Sequence, residues 1–198
     1  LIDRKTWTAS GTLDGEACVK ALSMMQTWVK NGWVVPTSSG TNQFYAEGQP
    51  AALAMGGHWF YAEAAAAMKD NIVVMPLPKI GEKGVSPNGT WIWAISATSE
   101  NPEIAGKFLS FMLKDKDYRE YAKTQSAYPG LKSFAAESPL YEDGGPLAIA
   151  FEQASKTAMA RPPHPAYPTI TSAFMQAVDK IFNDGDVQEA LTAAAKKI

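Results

Sequence analysis

The sequence predicts an α/β fold whose sheet is at least partly parallel. Three short apolar runs predict strands, at Ala51–Met55, Ile72–Met75 and Trp91–Ile95, and an Ala-rich helix from His58 to about Met68 lies between the first two. A strand–helix–strand order is typical of parallel pairing, because the helix returns the chain to the same edge of the sheet. From Asn101 onward the pattern is helical only.

The composition is that of a globular chain of 198 residues, with 46% hydrophobic and 19% charged residues. Its net charge of -2 gives no general attraction to nucleic acid or to anionic membranes. The single Cys18 excludes an internal disulfide and a thiolate metal cluster, and it is compatible with a cytosolic or a periplasmic setting. The chain begins at Leu1 without an initiator Met, so we expect a piece of a longer protein.

The N-terminal region predicts two helices. The first is expected to run from a cap at Asp14 to about Lys30, and Asn31-Gly32 is its stop signal. The second is a short helix over about Asn42–Glu47. The inward stripe of the first helix is expected to contain Cys18, Leu22, Met25 and Val29.

The segment His58-Trp59-Phe60-Tyr61 follows a predicted strand and Gly56-Gly57. It is expected at the carboxyl end of a strand and the N-terminus of a helix, where open α/β sheets bind ligands and N–H groups are free to donate. The alternative for Trp59 is a core anchor, and a lone His58 is usually a rim or surface residue. His164 is the only other histidine, and no acidic cluster accompanies either one, so no metal site is expected.

The stretch Ser86–Ala97 joins the polar turn Asn88-Gly89-Thr90 to the strand that begins at Trp91. Alternation places Trp91 and Trp93 on one face of that strand. Two indoles beside a polar turn can cover an apolar ring while nearby N–H groups bind hydroxyls. The alternative is a strand that buries both tryptophans in a core.

The rest of the chain predicts helices on either side of a linker. Asn101 caps a helix that opens with Pro102 and carries the apolar stripe Ile104, Phe108, Phe111 and Met112. Further helices are predicted over Asp115–Gln125, Leu147 to about Ala158, Thr169–Asn183 and Asp186–Ile198, the last with a capping box at Asp186 and Glu189. Between them, Arg161–Pro168 contains four prolines and predicts a stiff, extended linker.

Several motifs occur in a distinctive order. They are Gly-Gly-His-Trp, Val-Val-Met-Pro-Leu-Pro, Asn-Gly-Thr-Trp-Ile-Trp-Ala-Ile-Ser, Asn-Pro-Glu-Ile-Ala-Gly-Lys-Phe-Leu-Ser-Phe and Ala-Arg-Pro-Pro-His-Pro-Ala-Tyr-Pro. Their order and spacing resemble the family 1 extracellular solute-binding proteins of bacterial ABC importers, the group of the maltose-binding protein. The resemblance covers essentially the whole chain, but only the C-terminal half of a full family member.

The resemblance implies a type II periplasmic-binding-protein-like fold, in which two lobes close over a sugar. This chain would be a helix-rich C-terminal fragment with a small mixed sheet. Residues 1–97 would belong to the C-terminal lobe up to a hinge crossing, residues 98–160 to the N-terminal lobe, and residues 161–198 to the return crossing and terminal helices of the C-terminal lobe. Without its partner lobe, the stripe of Phe108, Phe111 and Met112 would lose its packing.

The resemblance also implies ligand-binding residues around the first aromatic segment. Trp59 matches an aromatic that stacks on a sugar ring, and His58 lies beside it. Tyr61 matches a position that sometimes adds a hydroxyl.

Further ligand contacts are implied by the later motifs. Trp91 matches an aromatic of the crossing segment, Gly89 gives close backbone approach, and Arg161 matches an arginine that reaches the ligand's hydroxyls in some sugar binders. Trp93 departs from the family, where small residues are frequent. Met175 stands near where some members carry another stacking aromatic, which argues against a long oligosaccharide.

The predicted function is therefore capture of a mono- or disaccharide-sized sugar, without catalysis, cofactor or metal. The partners would be the ABC permease subunits and the protein's own N-terminal half, with no nucleic acid. The setting would be periplasmic, or extracellular and lipid-anchored in a Gram-positive bacterium.

Three alternatives stay open. A binder of cationic solutes such as polyamines would also use tryptophan faces, but it needs carboxylates in its pocket. A carbohydrate-active enzyme needs two facing carboxylates, and Glu47, Glu63 and Asp70 lie outside the aromatic-rich segments. An interaction scaffold without a small ligand is the third.

Overall fold

A computed structural model describes residues 1–34, 44, 51–79, 84–89, 92–124, 134 and 137–198 of the chain. Two compact units are present, one formed by Leu1–Ser38 with Pro162–Ile198 and the other by Ser39–Arg161. Among the described residues, no helix combines the length and the apolar character that crossing a membrane requires.

Helices dominate the described chain. They are α1 (Glu16–Lys30), α2 (Tyr61–Met68), α3 (Pro102–Met112), α4 (Asp115–Thr124), α5 (Ala148–Thr157), α6 (Tyr167–Phe182) and α7 (Val187–Ala195). Two strands, β1 (Ser86–Asn88) and β2 (Ala158–Ala160), form a parallel pair. Short 3₁₀ turns at His58–Phe60 and Lys69–Asn71 flank α2. A helix-rich α/β fold with a small sheet is thus confirmed, although this sheet is parallel and not mixed.

The first unit is held together by α6 and α7 packed on α1. The period of its apolar residues predicts that Ile170, Phe174, Ala177, Val178 and Ile181 face inward on α6. This stripe is confirmed, since Ile170 and Ile181 are at most 1% exposed and the other three are buried or packed against the core. Gln26 on α1 ties the helices together, because its Nε2 donates to the carbonyls of Ile181 at 2.7 Å and Gly185 at 2.8 Å. Cys18 packs at the edge of this core, and burial raises the pKa of its thiol.

Helix ends agree with the sequence at some positions and not at others. Asp186 caps α7 as predicted, since its carboxylate accepts from the N–H of Glu189 at 2.7 Å. The predicted cap of α1 at Asp14 is wrong: Gly15 occupies the N-cap position, and the Asp14 carboxylate accepts from the N–H of Gly11 at 2.6 Å. Asp14 therefore closes the turn before the helix, in which Gly11 has a φ of +78°.

The predictions for other helix ends are also right at some positions and wrong at others. The stop at Asn31-Gly32 is confirmed, with Gly32 in the left-handed region at a φ of +70°. Pro102 opens α3, but Asn101 makes no side-chain cap. The linker is shorter than predicted because α6 begins at Tyr167, with Pro168 in its first turn.

The predicted strands are not strands in the structure. Ala51–Met55 and Ile72–Met75 form no ladder, and Leu53 and Val73 are 74% and 77% exposed. Of Trp91–Ile95, the described part, Ile92–Ile95, is also irregular and exposed. An apolar, β-branched run becomes a strand only where a neighbour pairs with it, and the described residues supply no such neighbour. The parallel pair is formed instead by β1 and β2. The sequence predicted a polar turn at β1, and at β2 the end of a helix just before the linker.

The apolar stripe of α3 faces solvent. Ile104, Phe108 and Phe111 are 65%, 59% and 59% exposed, and the Nζ of Lys114 lies 4.8 Å from the Phe111 ring centroid. The described residues therefore leave this stripe unburied. The predicted helix over Asn42–Glu47 lies outside the described residues, apart from residue 44.

We predict that Asp186→Ala lowers the free energy of unfolding by about 1 kcal/mol, because the N–H of Glu189 loses its acceptor at the start of a helix that packs into the core. Urea denaturation of the variant measures this loss. The matched control is Asp179→Ala, an exposed position within α6, which should leave the midpoint unchanged or slightly raised. Equal losses in both variants would contradict the capping role.

Candidate functional site

Two of the predicted ligand residues meet at one end of the parallel pair. In the β1–β2 register, Asn88 is opposite Ala160, so Gly89 and Arg161 are the next residues along each strand. Both therefore lie at the carboxyl ends of parallel strands. In open α/β sheets this is the edge at which ligands bind.

The contact between Gly89 and Arg161 depends on the missing side chain of glycine. A Cβ on Gly89 would lie 3.3 Å from Nε and 3.5 Å from Cζ of Arg161, so the guanidinium rests directly against the Gly89 backbone. Both residues are exposed. A guanidinium carries five N–H donors in a planar fork. This edge of the sheet therefore carries N–H donors of the kind that a ligand's oxygens accept.

Trp59 lies in the 3₁₀ turn before α2, and its position depends on Gly57. A Cβ on Gly57 would fall 2.3 to 2.5 Å from the Cη2, Cζ3 and Cζ2 atoms of the indole, so the six-membered ring lies on the Gly57 backbone. Trp59 nevertheless remains 57% exposed. The predicted core alternative for Trp59 is thus wrong, and a large aromatic surface is presented to solvent.

The neighbours of Trp59 have different surroundings. His58 is half-buried and lies edge-on to Trp59, with ring centroids 5.3 Å apart and an interplanar angle of 78°. The Phe60 ring is tilted against the Trp59 ring, with ring centroids 5.6 Å apart. Tyr61, the first residue of α2, lines a groove whose other described walls are mostly aliphatic.

The predicted tryptophans of the central stretch are only partly described. Trp93 is 62% exposed, so a core role for it is wrong. Trp91 lies outside the described residues, and with it the prediction that the two indoles share a face. Met175 is 65% exposed on α6.

The structure brings Gly89 together with Arg161, and separately brings together His58, Trp59 and Phe60. All of these residues belong to the second compact unit. In the described part of the chain, no group of three or more His, Cys, Asp or Glu side chains is arranged to hold a metal ion.

Residues 3–148, most of the chain, match a protein family described as bacterial extracellular solute-binding protein. The chain belongs to the bacterial extracellular solute-binding proteins. This is a family of binding proteins, not of enzymes, and it acts outside the cytoplasm. No curated protein matches the chain significantly.

The family match covers most, but not all, of the candidate residues of this solute-binding protein. It spans His58, Trp59, Tyr61, Gly89, Trp91 and Trp93. Arg161 lies beyond the matched residues, so its proposed role depends on its position beside Gly89.

One aromatic pair of this solute-binding protein was missed from the sequence. In the first unit, Trp7 stacks on His164 with centroids 5.0 Å apart, and its backbone has a left-handed φ of +57°. The Asp3 carboxylate accepts from the N–H groups of Lys5 and Thr6 at 2.7 and 3.0 Å, and those bonds, that of Thr6 first, lower the pKa of Asp3. The signal that could have found this loop is Asp3 itself, a residue that caps turns of this kind.

We predict an upfield NMR shift for one Hα of Gly57, because that hydrogen points into the six-membered ring of Trp59. Trp59→Ala should return the resonance to an ordinary position. The control is Trp33→Ala, which removes a tryptophan that is 71% exposed in the other unit and should leave the Gly57 resonance in place. An ordinary Gly57 shift in the unmodified protein would contradict the described packing.

Proposed function

We propose that this protein is the substrate-binding component of an ABC importer and captures a mono- or disaccharide-sized sugar for the membrane permease. Its aromatic faces would cover the apolar C–H face of a pyranose, while fixed donors bind the hydroxyls. Binding would bias two lobes towards a closed state, which the permease recognises. In this proposal residues 1–97 and 161–198 serve the C-terminal lobe and residues 98–160 serve the N-terminal lobe.

The observation that carries the sugar proposal is the exposed indole of Trp59. Tryptophan is highly buried on average in folded proteins. Here the ring lies on a glycine backbone and remains 57% exposed, with His58 and Phe60 limiting its movement. Such a fixed platform loses little side-chain entropy when a sugar ring stacks on it.

The pairing of Gly89 with Arg161 supplies the polar part of the proposed site. Hydrogen bonds from a charged donor are stronger than those between neutral groups, at about 1.5–3 kcal/mol each. The Gly89 backbone fixes one side of the guanidinium, which reduces the freedom that Arg161 loses on binding. Trp91 and Trp93 are proposed to add further aromatic surface.

The distribution of charge favours a neutral ligand over a polyamine. The segments that carry the candidate residues, His58–Tyr61, Ser86–Trp93 and Ala158–Arg161, contain no Asp or Glu. A cationic ligand would therefore meet a guanidinium and no carboxylate from these segments. The same composition argues against a glycosidase, which needs two carboxylates at the scissile bond.

We predict that a sugar from a panel of mono- and disaccharides raises the melting temperature, since a ligand that binds only the folded state stabilises it. Trp59→Ala should remove most of this rise. Trp33→Ala is the control, because it also removes an exposed indole but should keep the rise. A rise with polyamines and not with sugars would replace the proposal by a cation binder, and equal responses of the two variants would exclude Trp59.

Two variants test separately the Arg161 guanidinium and the Gly89 backbone on which it rests. Arg161→Lys keeps the charge but loses the planar fork, so sugar affinity should fall by about tenfold. Gly89→Ala places a methyl 3.3 Å from Nε of Arg161, and the flexible side chain can yield without strain on the backbone. Gly89→Ala should therefore weaken binding while the melting temperature of the free protein stays unchanged. Calorimetric titration measures both, and unchanged affinity in both variants would remove Arg161 from the site.

A further inference from the structure

A groove of about 350 Å³ lies within the second unit, and neither Gly89 nor Arg161 is among its lining residues. One side is formed by Tyr61 and the segment Ile72–Val74. The other side is formed by Pro146, Ala148 and Ile149, at the start of α5. Its volume is at the lower end of the range found for small-molecule sites.

A hydrogen bond and close packing hold the two sides together. The N–H of Leu77, three residues after Val74, donates to Oε1 of Gln153 on α5 at 3.0 Å. Gly84 packs against the same point, because a Cβ there would lie 2.8 Å from the Leu77 carbonyl oxygen. The separation of the extended segment from α5 is therefore set by contacts outside the groove, and the groove exists before any ligand arrives.

The side chains that line the groove are almost entirely apolar. Valine, isoleucine, proline and alanine form most of the surface, and among the described residues that line it Tyr61 supplies the only ionisable group. An ion entering such a surface would lose hydration without gaining an opposite charge. The lining therefore selects against charged ligands.

Several N–H groups at the start of α5 are already engaged. The N–H groups of Gly145, Leu147 and Ala148 donate to the carbonyls of Glu142, Leu140 and Gly145 at 2.8, 2.7 and 3.1 Å. These donors already have acceptors within the turn. Since a helix N-terminus attracts anions through its free N–H groups, these three donors add nothing to the binding of an anion in the groove.

We propose that this groove binds a small, uncharged aromatic molecule of one or two rings, and that Tyr61, which the resemblance implied as a sugar contact, serves this groove instead of the sugar site. Such a ring can lie against the branched aliphatic side chains of Ile72, Val74 and Ile149 and meet the phenol of Tyr61 in a tilted arrangement. The apolar area removed from water provides the affinity. This site does not depend on the proposed sugar function.

The test uses three probes of one shape and different charge. They are 2-naphthol, anionic 2-naphthoate and cationic 2-naphthylmethylammonium, each titrated into the full protein at neutral pH and followed by probe fluorescence. The expected result is binding of 2-naphthol at one site per chain, with both charged probes at least about tenfold weaker. Equal binding of the three probes would overturn the proposal.

Matched variants locate the site. Val73→Asp places a carboxylate on the groove at a position that is 77% exposed, so the variant should fold, and 2-naphthol affinity should fall by about tenfold or more. Val85→Asp makes the same change at a 45% exposed position of the same unit, outside the groove lining, and should bind within about twofold of the unmodified protein. Ile149→Trp fills the groove from the α5 side and should also abolish binding.

Three outcomes would overturn the proposal. Unchanged 2-naphthol binding in Val73→Asp and Ile149→Trp would show that 2-naphthol binds to exposed apolar side chains elsewhere on the chain. Equal loss in Val73→Asp and Val85→Asp would show a general charge effect. Displacement of 2-naphthol by a saturating sugar would show that the groove is part of the sugar site. Failure of every sugar to bind would count only against the sugar proposal, because the 2-naphthol result does not depend on it.

Discussion

The parallel pairing of Ser86–Asn88 with Ala158–Ala160 is the interaction on which the candidate site depends. The paired residues are far apart in the sequence, so closing this loop carries an entropic cost that the contacts around the strands have to offset. The register of a strand pair admits no partial slip, because a shift of one residue turns every side chain to the opposite face. Once the register is set, Gly89 and Arg161 must lie side by side. Helix α5, which leads directly into β2, is positioned by the same pairing.

Helices were predictable from this sequence because their signals are local. Gly32, Pro102 and Asp186 act within one turn of their own positions, and each marks a helix boundary in the structure. The inward stripe of α6 was predictable from the period of its apolar residues. Strands were not predictable, because the run Ile72–Met75 has the right residues but no paired neighbour among the described residues, while Ala158–Ala160 pairs without any apolar alternation.

The candidate site could be predicted as residues but not as geometry. Motif order identified Trp59, Gly89 and Arg161, yet only the register shows that Gly89 supports the Arg161 guanidinium. The role of Gly57 could not be inferred from the Gly56-Gly57 pair, because it depends on the path of the Trp59 side chain. Glycine at both positions allows a large side chain to rest on bare backbone. The groove beside Tyr61 has no sequence signature, since it is formed by segments that meet only in the folded unit.

The exposed stripe of α3 has a consequence for how the chain behaves in concentrated solution. A large apolar side chain forgoes about 1.5–3 kcal/mol by staying in water, and Ile104, Phe108 and Phe111 all do so on one helix. The net charge of -2 gives little long-range repulsion to keep two such helices apart. Sulfate, which is excluded from protein surfaces, strengthens apolar association. The chain should therefore precipitate at low ammonium sulfate concentrations and be retained on a phenyl matrix.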